Sequence, residues 1–334
     1  MALTFIDGVH GDQTDLEYKY YYADEVYIDA LTRRTGPSSI RMEGGLTDTP
    51  DLQHQMDGQE TVIYGAAFYH DIIPSSNYQL YAISGSANTV QVLIGANNSF
   101  AISVDGNIYS AANGLAVNLV WYYLEIKVVV HPTAGSVELR LNEVPIITQS
   151  NINTGDIGTN YDFIRWERIV TTNYYMQDIY VCDGLGGVND DFLGDVKIDI
   201  IRPNASGTYS DFTPSAGSNW ENVDEVPIDE DVTYNESTLV DQKDTYNLEN
   251  VSTGSATIFG IQQFTVMRKS DVGPYRAKQL LKSGATESLG DELALNDSYT
   301  GYRRAFDQNP NTSTAWTETT INALESGVKT VAVT

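Results

Sequence analysis

A single cysteine, Cys182, stands in a chain of 334 residues. No intramolecular disulfide framework is available, so folding must rest on core burial. Cys182 ends the strand-like run Ile179-Tyr180-Val181-Cys182, where a thiol is expected to be buried and structural, not nucleophilic. Histidine is almost as scarce. His10, His54, His70 and His131 are isolated, with no Gly-x-Ser-x-Gly or catalytic-cysteine context and no paired spacing for zinc. Basic residues are few: 19 Lys and Arg face 45 Asp and Glu, for a formal charge of −26. That field repels phosphate backbones and argues against nucleic-acid partners. Its plainest meaning is a solvated surface suited to high copy number, with divalent cations or a basic protein partner as the alternatives. No apolar run approaches the ~18 residues of a membrane span. The start, MALTFIDGVHGDQ, lacks the basic and apolar regions of a signal peptide, so the expectation is synthesis in a cytoplasm without membrane insertion. Sequons such as Asn204-Ala205-Ser206 are then chance matches.

What is abundant is strand-forming sequence. Hydrophobic residues make up 41% of the chain, and tyrosine alone occurs 22 times. Through residue 185 one short strand follows another. Thr61–Tyr69 is apolar and β-branched, and Tyr78–Ile83 and Thr89–Ile94 alternate. Asp105-Gly106-Asn107 marks a tight turn, since Gly and Asn tolerate positive φ. The clearest hairpin sets Tyr122, Leu124, Ile126, Val128 and Val130 on one face and Glu125 and Lys127 on the other. His131–Gly135 then turns the chain into Val137, Leu139 and Leu141, and Asn142-Glu143 turns it again. Phe163–Ile169 and Met176–Cys182 complete the set. Many short strands with turn signals between them predict a jelly-roll β-sandwich over residues 1–185, not a βαβ fold.

The run Asp183–Asp191 is glycine-rich and acidic and reads as a domain boundary; it carries no phosphate-loop spacing. A second β-rich domain is expected over 186–334. It opens with an alternating strand, Gly194–Pro203, and continues through an irregular stretch, Asn204–Glu236. Thr257–Arg268 is apolar on both faces and predicts a central strand. A helix is expected at Trp316–Glu325, with Ile321, Leu324 and Val328 on one side and Gly327 as its C-terminal cap. The fold class is therefore all-β, with a short C-terminal helix.

Trp121–Val130 followed by Gly135-Ser136-Val137-Glu138-Leu139-Arg140-Leu141-Asn142, and the closing Met176–Val181, resemble the concanavalin A-like lectin/laminin-G jelly roll. In the second half, Asn189–Asp195, Val223-Asp224-Glu225 with Asp229 and Asp231, Asp307–Thr317 and Asn322–Val328 resemble tailed-phage virion proteins. This resemblance implies a structural component of a tail, fibre, baseplate or head surface, located in the virion. Its partners would be other virion proteins and copies of itself, as a trimer if the position is a fibre. The alternative is a carbohydrate-binding, receptor-recognition protein of the same particle, with a host-surface glycan as ligand.

Catalysis is not expected. Laminarinase-like members of the superfold place acids at alternate positions of one strand, so that one serves as nucleophile and another as acid. The counterpart by strand type is Glu125, but Lys127 and Val129 stand where the further acids would be. No catalytic or cofactor-binding residue is assigned. Calcium is the one cofactor the acidic loops would suit, with Asp183, Asp190 and Asp191, and Asp224, Glu225, Asp229 and Asp231, as candidate ligands; neither group has EF-hand spacing. Tyr20, Tyr21, Tyr22, Tyr174 and Tyr175 are the candidate glycan or interface aromatics. Burial in strands or at subunit contacts is the simpler reading of each.

Overall fold

The computed structural model describes residues 2–24, 26–44, 51–85, 89–156, 160–167, 169 and 172–331. The chain forms two compact units, Met1–Ile198 and Asp199–Thr334. Relative to a boundary at 185, the first unit also takes in segment 186–198.

The first unit is a two-sheet antiparallel sandwich of the expected jelly-roll class. Its strands are β1 (Leu3–Asp7), β2 (Tyr22–Asp24), β3 (Val26–Asp29), β4 (Ser39–Met42), β5 (Asp51–Gln59), β6 (Thr61–His70), β7 (Tyr78–Gly85), β8 (Thr89–Gly95), β9 (Ser99–Val104), β10 (Asn107–Ser110), β11 (Tyr122–Val129), β12 (Gly135–Leu141), β13 (Val144–Ile152), β14 (Tyr161–Glu167) and β15 (Tyr174–Cys182). One sheet runs β13-β12-β11-β6-β15-β4-β3, with β1 also on β15; the other runs β10-β9-β8-β7-β14-β5-β2. Alternation sends Val62, Tyr64, Phe68, Leu124, Ile126, Met176 and Val181 of the first sheet, with Leu80, Ile83, Val92, Ile102 and Trp166 of the second, into one core. Each such side chain contributes roughly 1.5–3 kcal/mol by leaving water, and this is what replaces disulfides. Cys182 is fully buried in β15, as expected. Trp166 Nε1 donates to Tyr64 Oη at 2.8 Å, which satisfies the indole in the core.

The turns follow the sequence signals. Asp105 and Gly106 both have positive φ between β9 and β10, and Asn142 and Glu143 do so between β12 and β13. The strand expected through Ile169 ends at Glu167, and Arg168 lies outside the described residues. A helix the periodicity did not show, α1 (Gln13–Lys19), follows β1. Asp12 caps it by accepting from Thr14 N and Asp15 N. Its last residue, Lys19, is buried and donates from Nζ to Asp7 Oδ1 at 3.0 Å. Tyr20 Oη donates to Asp7 Oδ2, also at 3.0 Å. Burial pushes the Asp7 carboxyl up, but Lys19 and the Val9 amide outweigh it and hold the group below its usual range.

The second unit is also antiparallel. Its strands are β16 (Pro203–Ser210), β17 (Thr213–Pro214), β18 (Asn235–Glu236), β19 (Lys243–Leu248), β20 (Ile261–Met267), β21 (Arg276–Ser283), β22 (Thr286–Leu289), β23 (Leu293–Ala294), β24 (Thr300–Phe306) and β25 (Leu324–Val331). The main sheet runs β16-β19-β25-β21-β22, with β23 on β21; β17-β18 and β20-β24 form separate pairs. Leu281, Phe306, Trp316, Ile321 and Leu324 make a small core.

Four expectations need correction here. Gly194–Arg202 forms no strand: within the first unit, the amides of Gly194 and Ile198 are spent on Glu125 and Asp178, as described below, and in the second unit the Arg202 amide donates to Glu249 at 3.2 Å. Asn204–Glu236 is not wholly irregular: Pro203–Ser210 is an edge strand, with only one half-buried face and few apolar residues to announce it. β20 is not central in a sheet. It pairs only with β24, and its inner face lies on the main sheet, where Gln263 Nε2 donates to Leu280 O and Gly327 O at 3.0 Å each. The terminal helix is a single turn, α2 (Glu318–Ile321), and Leu324 and Val328 belong to β25. Gly327 is no cap: a Cβ there would lie 1.9 Å from Asp244 O, so it allows close strand contact.

Candidate functional site

The outer face of the first sheet carries the side chains that the core does not use. Registers set them in rows. Tyr175 stands opposite Tyr69 on one side and Arg41 on the other, and Arg41 stands opposite Tyr27. Tyr122 pairs with Phe68, which brings Trp121 beside Tyr69. Trp121, which immediately precedes β11, and Tyr69, Tyr175, Arg41 and Tyr27 therefore form one row across β6, β15, β4 and β3.

Ring centroids in this row are 5.5 Å apart for Tyr69–Trp121 and 5.6 Å for Tyr69–Tyr175, at interplanar angles of 44° and 79°. The rings are stepped and tilted and do not form one flat table. Arg41 lies 5.2 Å from the Tyr27 ring centre and bonds Glu43 at 3.3 Å. Trp121, Tyr69 and Tyr27 are half-buried, while Tyr175 keeps little exposure. Burial first, then the Asp71 carboxylate, pushes the Tyr175 phenol up, so it stays a neutral hydroxyl. Ile72, Leu119 and Val120, close in sequence to His70 and Trp121, are exposed apolar residues at 58%, 62% and 47% exposure. Asn173 Nδ2 donates to Asp71 Oδ2 at 3.0 Å next to them.

The next rows are covered. A bulge between Gln177 and Tyr180 places both Gln177 and Asp178 on the outer side, with Asp178 at φ 54°. Gln177 Oε1 accepts from Arg34 N at 2.7 Å, and Asp178 accepts from Thr35 Oγ1 at 3.0 Å and from Arg34 Nη1 at 3.2 Å. Tyr123 Oη donates to Asp178 O at 2.8 Å. One row further, Glu125 Oε1 accepts from Tyr180 Oη at 2.5 Å and from Gly194 N at 2.8 Å. Segment 191–198 lies over these rows. Leu193 N donates to Tyr180 Oη at 3.1 Å, and Ile198 N to Asp178 Oδ1 at 3.0 Å. Burial pushes both the Glu125 and Asp178 carboxyls up, against the hydrogen bonds that favour their charged forms.

The expected site residues fall in several places. Only Tyr175 joins the outer row. Tyr174, its neighbour in a strand of period two, is fully buried and donates from Oη to Glu167 O at 2.8 Å. Tyr20 is buried on Asp7. Tyr21 and Tyr22 are exposed at the far edge of the other sheet, Tyr21 against Phe163 and Tyr22 bonded to Asp24 at 3.1 Å. Of the acidic candidates, Glu225 and Asp229 are drawn together by a shared hydroxyl, and Asp183, Asp191 and Asp231 have partners of their own. Asp183 Oδ1 accepts from Leu185 N at 2.8 Å, and Asp191 pairs with Lys127 at 3.1 Å. In the second unit, Thr233 Oγ1 donates to Asp229 Oδ2 at 2.8 Å and also bonds Glu225, and Asp231 pairs with Arg268 at 2.6 Å. Asp190 and Asp224 complete those loops. Among the described residues, no group of three or more His, Cys, Asp or Glu is placed to hold a metal ion. Tyr69 and Trp121 were missed as site residues; the signal for them was the cross-strand register, which one strand's pattern does not contain.

No protein-family model matches the chain, and no curated protein does. Solved structures align with about half of its length. An endo-β-1,4-glucuronan lyase from the fungus Trichoderma reesei is 11% identical at a TM-score of 0.43, covering 54% of this chain and 95% of that one. The metal-free carbohydrate recognition domain of Emp46p is 10% identical at a TM-score of 0.38, covering 52% and 92%. Domain 4 of AbnA, an extracellular arabinanase from Geobacillus stearothermophilus, solved with arabinotriose, is 8% identical at a TM-score of 0.36, covering 48% and 76%.

Proposed function

We propose that the first unit is a glycan-binding module, and that the row Trp121–Tyr69–Tyr175 is where the sugar lies. The observation that carries this is the register: Tyr69 and, just ahead of β11, Trp121 stand outward and half-buried beside the little-exposed Tyr175, with centroid spacings of 5.5 and 5.6 Å. Ring faces take up the apolar faces of pyranoses, and the flanking Asp71, Asn173, Arg41 and Glu43 supply partners for hydroxyls. Because the rings are tilted, the row suits a single chain or a chain end that can turn between residues. It does not suit the flat face of packed, crystalline polysaccharide.

The module acts by binding and not by turnover. Glu125, the strand counterpart of a laminarinase acid, lies under Gly194, and the next outward residue on its strand is Lys127. We further propose that the protein is a phage virion component, with the glycan on the host surface and with other virion proteins and its own copies as neighbours. The support for that location is the set of sequence blocks in the second half.

The test is a glycan array followed by titration of the best ligand. Trp121→Ala and Tyr69→Ala are each expected to weaken binding by roughly tenfold or more, as loss of a stacked aromatic does. Tyr21→Ala, at the far sheet edge, is expected to leave it unchanged. Absence of any glycan ligand, or equal binding by all three variants, would reject the reading. Release of new reducing ends or of unsaturated sugars would reject the non-catalytic part. Mass spectrometry of purified particles tests the location.

A further inference from the structure

The strip of outer face beneath residues 191–198 is covered by the chain's own acidic segment. Cations are scarce here, at 19 against 45 acids, yet three of them converge on this strip. Each one meets the covering segment. Lys127 pairs with Asp191 at 3.1 Å; Arg34, which also bonds Asp178, pairs with Asp195; and the Arg140 guanidinium, paired with Glu138 at 2.6 Å, lies 3.9 Å from the Phe192 ring centre. Between the cations, Glu125, Asp178 and Glu143 accept the amides of Gly194, Ile198 and Asp195 at 2.8, 3.0 and 3.2 Å. The floor is aromatic: the Tyr123 and Tyr180 rings stack at 6.4 Å and 13°, with Arg34 5.3 Å from the Tyr123 centre.

We propose that this strip binds a carboxylate-bearing polysaccharide, and that residues 191–195 occupy it as an internal competitor. The segment presents carboxylates to Lys127 and Arg34, scattered N–H donors to three carboxylates, and one flat ring. A uronate chain presents the same groups as carboxylates, hydroxyls and ring faces. A peptide ligand is the poorer match. Strand addition needs a free sheet edge, and β11, β12 and β15 are interior strands whose backbone groups are already paired. The ion pairs at Asp191 and Asp195 are partly exposed, at 66% and 39% of the side chain, so they are weak and exchangeable. Tethering is what keeps the segment in place, by raising its local concentration. This site does not depend on the aromatic row proposed above.

The experiment compares wild type, Asp191→Asn/Asp195→Asn, and a variant with residues 190–196 replaced by Gly and Ser at equal length. Each is titrated with polygalacturonate, with dextran as a neutral control and polyglutamate as an acidic-peptide control. Relief of an intramolecular competitor is expected to strengthen polygalacturonate binding roughly tenfold or more. The gain should fall with added salt, vanish when Arg34→Ala and Lys127→Ala are added, and survive Trp121→Ala. If the replaced segment prevents folding, shown by loss of the near-ultraviolet dichroism of the buried aromatics, the double Asn variant carries the same comparison. Unchanged binding in a folded variant overturns the proposal. Preference for polyglutamate also overturns it and assigns the strip to an acidic protein.

Discussion

Gly65 and Tyr180 face each other across β6 and β15 so closely that a Cβ on Gly65 would lie 2.2 Å from Cε1 of the tyrosine ring. The absent side chain lets that ring lie flat across the sheet and bring its hydroxyl to Glu125. Gly65→Ala is expected to cost about 1–3 kcal/mol, as overpacking of a filled site does. The ring must lift, and with it the covering segment bonded to its hydroxyl. Urea unfolding measures the first effect, and faster amide exchange at Leu193 and Gly194 the second. A variant with wild-type stability and exchange would show that the contact is soft.

His70 is buried in the sandwich between the rings of Tyr122 and Tyr174, and its Nδ1 bonds the Tyr122 hydroxyl. Burial lowers its pKa to about 3, so the folded protein holds it neutral. The unfolded chain takes up a proton near pH 6.5 and the folded one does not. Stability of the first unit should therefore fall as pH drops from 6.5 toward 3, by up to about 1.4 kcal/mol per unit from this group. The difference between wild type and His70→Gln across that range isolates the effect from the carboxylates. Parallel curves would mean that His70 is reached by solvent.

Glu325 is the reverse case in the second unit. Burial pushes its carboxyl up, but Lys282 at 2.6 Å, Thr208 through its amide and hydroxyl, and Thr245 outweigh that and hold it at about 2. Its contribution is complete above the ordinary carboxylate pKa of about 4.5 and is lost as pH falls from there to about 2. Glu325→Gln should lower the melting temperature of the second unit at pH 7 and leave it nearly unchanged at pH 2. Equal losses at both pH values would assign the effect to packing.

Glu125 tests the assignment of its strand. Oε2 is buried with no hydrogen-bond partner, and burial raises the group's pKa. Replacing this half-satisfied carboxyl by an amide keeps the acceptor for Tyr180 and Gly194 and removes a group whose charged form burial disfavours. Glu125→Gln is expected to hold or raise stability at pH 8, by about 1 kcal/mol. Calorimetry at that pH checks the sign; a clear loss would show that the charge itself holds the covering segment.

The sandwich was readable because its strands report burial on one face. The hairpin of Tyr122–Val130 with Val137–Leu141 appears as the alternation implies. Segments whose order comes from side chains elsewhere were not readable. Gly194–Arg202 alternates like a strand, yet the amides of Gly194, Ile198 and Arg202 go to Glu125, Asp178 and Glu249, far away in the sequence. Ile321, Leu324 and Val328 match a helical period by coincidence, and Gly327 has to be a glycine because Asp244 of the neighbouring strand comes close. The aromatic row was half-legible. Tyr174 and Tyr175 stand out as a pair, but which one faces out is set by the pairing with β6. The partner Tyr69 is found only through that pairing.

β15, the last strand of the first unit in sequence, lies between β6 and β4 in the interior of its sheet, and β25 lies likewise between β19 and β21. During synthesis, neither sheet can close until its late strand has left the ribosome, and until then two raw edges stand open on each. The slow step in making either unit is thus the insertion of a strand into a waiting gap, a pairing across long sequence distance. A chaperone that shields open strand edges would act in that interval.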